Sequence, residues 1–178
     1  MTLNLTRRNV KGAPLSAAEH DANLDKLETA IIRASVRGQL SRITSGNVVI
    51  ETQGVYVSTG LDGTLDSATA NGMARGTNDT FGLKNTSGAT RLMRVYGSID
   101  AAGGNNKTLG IKLALNGIPI DATESRAFTG SGGQEAKLVT SWMVSMAAGD
   151  EVSLRIANHS STDDIEFRRG RLVATEVR

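Results

Sequence analysis

Two periodicities divide this chain. Between positions 17 and 37 the apolar residues recur at helical spacing, and beyond 39 they alternate with polar ones. In the second region Leu109, Ile111, Leu113 and Leu115 share one face. Leu138, Trp142, Val144 and Met146 share another, with Thr140 among them. Val152, Leu154 and Ile156 point one way while Ser153 and Arg155 point the other. Period two is the mark of strands packed on one face. The pattern predicts strands over 47–53, 55–59, 78–85, 91–100, 108–115, 118–127, 136–146, 151–157, 164–169 and 172–177. Asn116-Gly117 between Leu115 and Ile118 predicts a tight hairpin, because both central positions of a type I′ turn need positive φ. Ala148-Gly149-Asp150 predicts a second turn, and 61–75 and 129–134 read as loops. Of the 20 glycines, 15 lie between Gly54 and Gly133, which places the turn-making residues among the short strands of an all-β sandwich.

The helical stretch is bounded by local chemistry. Pro14 biases Ala13 away from helix. Ser16 and Glu19 stand at capping-box spacing, each able to satisfy the other's backbone N–H. Glu19 and Asp21 suit the positive end of the helix dipole, and Arg33 and Arg37 the negative end. Gly38 is the expected left-handed stop, giving a helix over 17–37. Its apolar positions fit a heptad. Ala17, Leu24 and Ile31 fall on one repeat position, and His20, Leu27 and Ala34 on the other. A stripe this thin suits a seam between copies of the chain, with Ala17, Leu24, Leu27, Ile31 and Ala34 as trimer contacts. The alternative is a surface helix lying along the β region. Residues 1–15 form an arm in which Leu3, Leu5, Arg7, Arg8 and Val10 are candidates for docking on a larger particle, against the alternative of a frayed terminus. The expected division is arm 1–15, helix 16–38 and β region 39–178.

Composition narrows the chemistry. With no Cys, disulfides, thiolate metal sites and cysteine nucleophiles are excluded together. Twenty Lys+Arg against 18 Asp+Glu leave a net charge of only +2, and aromatics are 3 % of the chain, so clustered phosphate contacts with stacking platforms are not expected and nucleic acid is not a predicted partner. The one basic run, Arg168-Arg169-Gly170-Arg171, reads as a solvated or interface edge. No signal peptide and no membrane-length apolar window are seen, so a product made in a cytoplasm, without membrane insertion, is expected.

No catalytic constellation emerges. His159, Asp163 and Asp164 lie in Asn158-His159-Ser160-Ser161-Thr162-Asp163-Asp164, which reads as an exposed hairpin loop without chemistry. The acidic pair lacks a second oxygen-rich ligand set for calcium. The Gly-rich loops lack the Gly-x-x-x-x-Gly-Lys-Ser/Thr pattern of a phosphate cradle. No cofactor, metal or enzymatic activity is expected. Trp142, the only Trp, is expected in the sandwich core or in a trimer interface.

Lys11-Gly12-Ala13-Pro14-Leu15-Ser16-Ala17-Ala18-Glu19-His20-Asp21-Ala22-Asn23-Leu24, followed by Leu27, resembles the opening of many bacteriophage virion proteins, notably tail-fibre-like chains. There the pattern is Lys-Gly-x-Pro-Leu-Thr-x-x-Glu-x-Asp-x-Asn-Phe-x-x-Leu. Ser16 and Leu24 replace Thr and Phe, and His20 replaces the usual apolar residue. The rest resembles a trimeric jelly roll of the complement and tumour-necrosis-factor type, on Gly54–Ser58, Asn85–Gly88, Arg91–Ser98, Asn116-Gly117, the 148–154 turn and strand, and the final strand. The resemblances imply a mainly β chain: an antiparallel jelly-roll sandwich preceded by an arm and one α-helix in a short trimeric coiled coil. They imply a non-enzymatic phage virion structural protein, a homotrimeric short tail fibre or fibre-like appendage anchored by its N-terminus. The alternatives are a capsid decoration knob and a non-viral trimeric jelly-roll binding module. The implied partners are further copies of the chain, a tail, baseplate or major capsid protein, and a host-surface receptor.

Overall fold

A computed structural model describes residues 14–68 and 70–177, with the side chains of 28–34 left aside. Leu3, Leu5, Arg7, Arg8 and Val10 therefore lie outside the described residues, as do the side chains of Ile31 and Ala34. The chain divides into two compact units, 1–35 and 36–178.

The first unit contains helix α1, Ala17–Ala34. Its capping box is formed. The Glu19 backbone N–H donates to Ser16 Oγ at 3.3 Å, and the Ser16 N–H donates to Glu19 Oε2 at 2.9 Å. The helix ends at Ala34, short of the expected Arg37–Gly38 stop, and Ser35 is already extended at φ −74°, ψ 120°. It stops there because the next residues belong to the sandwich. Val36 is buried, its N–H donating to Glu176 Oε2 at 2.9 Å. Arg37 and Gly38 open a strand instead. Gly38 is needed for space, since a Cβ there would lie 2.7 Å from Met73 Cβ.

The second unit is a sandwich of two antiparallel sheets. Its strands are β1 Arg37–Arg42, β2 Gly46–Val48, β3 Val57–Ser58, β4 Thr64–Leu65, β5 Met73–Arg75, β6 Gly82–Asn85, β7 Arg91–Ala102 and β8 Thr108–Leu115. They continue with β9 Ile118–Pro119, a 3₁₀ turn Asp121–Thr123, β10 Ser125–Phe128, β11 Ala136–Met146, β12 Glu151–Asn158 and β13 Ile165–Glu176. The first sheet runs β11-β7-β13-β1-β4, with β2 on β13. The second runs β10-β8-β12-β6-β5, with β3 on β12 and β9 on β8. This is an antiparallel jelly roll, the all-β sandwich expected from the alternation in the topology that the resemblance implied.

The inner faces supply one core. Leu40, Met93, Val95, Ile99, Leu138, Met146 and Leu172 come from the first sheet, and Leu83, Leu109, Ile111, Leu113, Val152, Leu154 and Ile156 from the second. Phe81 and Phe167 meet edge-on at 5.6 Å between ring centres, the geometry favoured by the aromatic quadrupole. Asn116 and Gly117 have φ 50° and 82°, as the hairpin turn requires.

Four expectations are corrected. The 61–75 loop contains β4 and β5, and strand 118–127 is broken into β9, the 3₁₀ turn and β10. Strands 164–169 and 172–177 are one strand, β13, with a bulge between Phe167 and Arg169. The basic run is accordingly not at an edge: β13 lies between β7 and β1 in the middle of its sheet.

Candidate self-association face

The register of the first sheet orders its outer face into cross-strand rows. Ser145 pairs with Leu92. Met143, Arg94, Thr175 and Arg37 form the next row, and Ser141, Tyr96, Val173 and Gln39 the one after. Beyond them stand Val139, Ser98, Arg171 and Ser41, and then Lys137, Asp100 and Arg169. Leu92, Met143, Tyr96, Val139 and Val173 thus share this face with Arg94 and Arg37, and Lys137, Asp100, Arg169 and Arg171 stand toward its other end. Leu92, Tyr96, Val139 and Met143 are all exposed, Met143 by 58 %. Exposed apolar side chains grouped on the outside of a sheet make this face a candidate interaction surface.

The neighbouring flank continues it. β10 and β11, the terminal strands of the two sheets, lie against each other there. Trp142 on this flank is 44 % exposed, and Phe128, 60 % exposed, belongs to the outer face of the second sheet, across from Thr108. Trp142 has the parity of the inward-facing Leu138, Thr140 and Val144, but it sits on a terminal strand with no neighbour beyond it. Its expected place in the sandwich core is corrected for that reason. Of the expected seam residues on α1, Ala17 is exposed, and Leu24 and Leu27 are 51 % and 38 % exposed.

A second cluster, absent from the sequence-based expectations, lies on the second sheet. His159 is no solvated turn residue. Its Nε2 is 3.1 Å from the Tyr56 hydroxyl, and the two rings meet edge-on. The space is provided by Gly110, where a Cβ would collide with the Tyr56 hydroxyl and come within 2.7 Å of His159 Nε2. Lys112 Nζ lies 4.4 Å over the Tyr56 ring, 2.8 Å from Asp121 Oδ1 and 3.3 Å from Glu124 Oε2. Arg126 Nε closes on Glu124 Oε1. Burial pushes the Glu124 carboxyl up, but hydrogen bonds from Arg126, Tyr56 and Lys112 outweigh it and hold the group at about 2. Burial and the Glu124 carboxylate raise Tyr56, and the bond to Asp121 raises Lys112. Burial and the Arg126 charge lower His159, with Glu124 opposing and Lys112 assisting. The contacts saturate one another, so the cluster ties β3, β8, β10 and the end of β12 together. The signal in sequence was unreadable because its members come from four separate segments.

The other loop acids also have partners. Asp163 Oδ2 pairs with Lys107 Nζ at 2.9 Å, and Asp164 Oδ1 accepts the Ile50 N–H at 3.3 Å. Among the described residues no group of three or more His, Cys, Asp or Glu is placed to hold a metal ion. No described helix is long and apolar enough to cross a membrane.

Neither a family model nor a curated protein matches the sequence. Solved structures do match the fold. Eiger TNF from S. frugiperda superposes with a TM-score of 0.51 at 9 % identity, over 81 % of this chain and 93 % of that one. Murine APRIL gives 0.47 at 9 % identity, over 79 % and 99 %. The chain has a TNF-like jelly-roll fold carrying an exposed apolar face.

Proposed function

We propose that this chain is the subunit of a non-enzymatic homotrimeric binding module. The observation that carries the reading is the group of exposed apolar side chains on the first sheet's outer face, beside the exposed Trp142 on its terminal strand. One surface is a sheet face and the other an edge of the sandwich. A face of one copy meeting the flank of the next is a head-to-tail contact, and a rotation of one third of a turn between copies closes it into a ring of three. The resemblance to trimeric jelly rolls of the complement and tumour-necrosis-factor type supplies the number three. Sedimentation equilibrium of the full chain at micromolar concentration tests it, with a mass of three subunits expected. A stable monomer overturns the proposal.

The virion setting is a further reading and rests on the Lys11–Leu27 motif alone. Its formed capping box is consistent with an attachment helix, in a short tail fibre or a capsid decoration knob. Labelling the protein on intact particles tests that setting, and absence from purified particles removes it while leaving the trimeric module standing.

A further inference from the structure

We propose that the charged end of the first sheet's outer face is a binding site for a phosphate or sulfate group. A pocket of about 260 Å³ opens there, lined among others by Lys137, Arg169, Arg171 and Arg42. Adjacent rows of the sheet bring the first three of these side chains together. Lys137 and Arg169 flank Asp100 across β11, β7 and β13, and Arg171 stands one row away between Ser41 and Ser98.

Three cations therefore share one concavity with a single carboxylate, while Arg42, which has the inward parity of Leu40, turns its guanidinium to backbone carbonyls. Asp100 Oδ2 lies 3.7 Å from Arg169 Nε, and it is the one group in the pocket that would repel an anion. The other cations are held by neutral acceptors or by none. Arg171 Nη2 donates to Gln39 Oε1 at 2.6 Å, and Arg42 donates to the carbonyl oxygens of Asp62 and Ser45 at 2.8 and 3.3 Å. Lys137 has no partner among the described residues. Nearby acids are already engaged, Glu135 and Glu166 by Arg168, and Asp62 by Arg75.

Such a cluster repels itself until a polyvalent anion enters, and guanidinium groups bind tetrahedral oxyanions through charged hydrogen bonds. The Ser41 and Ser98 hydroxyls line the same pocket and add neutral donors. Metals and carboxylic acids fit less well, the first by charge and the second by offering fewer acceptor oxygens. The pocket is complete within one chain and does not depend on the trimeric reading.

The test is calorimetric titration of the full chain with inorganic sulfate, inorganic phosphate, glucose 6-sulfate and glucose 6-phosphate, each against sodium chloride at matched ionic strength. Saturable binding of the divalent anions over chloride is expected. The sugar esters distinguish a site for the free ion from one that takes the group on a saccharide. Lys137→Ala and Arg171→Gln are each expected to weaken binding at least about tenfold, the scale of a charged hydrogen bond, and Asp100→Asn to strengthen it. Lys84→Ala, on the other sheet, is the control. No preference over chloride, or a loss on Lys84→Ala equal to that on Lys137→Ala, overturns the proposal. A sedimentation run on the same sample separates the two ideas, because a monomer that binds sulfate refutes only the trimer.

Discussion

Gly97 on β7 lies directly beneath Leu154 on β12: a Cβ at Gly97 would sit 2.5 Å from Leu154 Cδ2. The two sheets approach closely at this point because one of them has no side chain there, and the leucine fills the gap. Gly97→Ala is expected to destabilise the sandwich by about 1–3 kcal/mol, the usual cost of overpacking. Urea denaturation checks it, with the far-ultraviolet β spectrum retained below the transition. A Gly97→Ala, Leu154→Ala double variant should lose less than the sum of the two singles.

Trp142 and Tyr96 are expected to act on assembly and not on folding. Tyr96→Asp should dissociate the oligomer, and Trp142→Ala should weaken it by about 2 kcal/mol if the indole is an interface anchor. Acrylamide quenching gives the direct readout. Trp142 should be shielded in concentrated protein and become quenchable on dilution. Equal quenching at every concentration would remove the flank from the interface.

The His159 cluster makes stability depend on pH. His159 is lowered in the folded chain, so the unfolded chain binds more protons below its ordinary value of 6.5. Stability from this site is present above that value and declines as pH falls through the range beneath it. Tyr56, Glu124, Arg126 and Lys112 all face the ring. His159→Gln should flatten the melting-temperature profile between about pH 7 and 5. Glu124 adds a second, more acidic window. Its contribution is present above its ordinary 4.5 and is lost as pH falls toward about 2. Glu124→Gln should lower the melting temperature at neutral pH and abolish that second decline.

Leu24→Ala with Leu27→Ala tests the helix. Both leucines are exposed in the single chain, so β circular dichroism and the sandwich melting temperature should be unchanged. If the seam forms between copies, association should weaken measurably in sedimentation equilibrium. Unaltered association would leave the sheet face as the sole contact.

Strands that bury one face in a long regular ladder were legible residue by residue. β8 and β11 begin and end where alternation places them, and the Ser16–Glu19 box and the Asn116-Gly117 turn arise from local chemistry alone. What escaped was set by partners distant in sequence. β1 offers only Leu40 as a large apolar residue, and its other inward position is a glycine made necessary by Met73, 35 positions away by number. β4 and β5 are two and three residues long, too short to show a period. The apolar outer face was hidden for a related reason. Val139 and Met143 look like solvent-side breaks in their own strand, and become a patch only when the register sets them beside Tyr96 and Leu92.

β11 ends its sheet with eleven residues, of which only Lys137 is charged. From 138 to 146 it has neither proline nor glycine, and several of its residues are β-branched or aromatic. A terminal strand of that length leaves a row of backbone donors and acceptors open to another chain, and an uncharged, strand-forming run is the signature of cross-β stacking. The segment is therefore an aggregation hazard whenever its edge is left uncovered. Material unfolded by heat should lose solubility through this strand, and a single lysine at Ser141 or Ser145 would act as a gatekeeper.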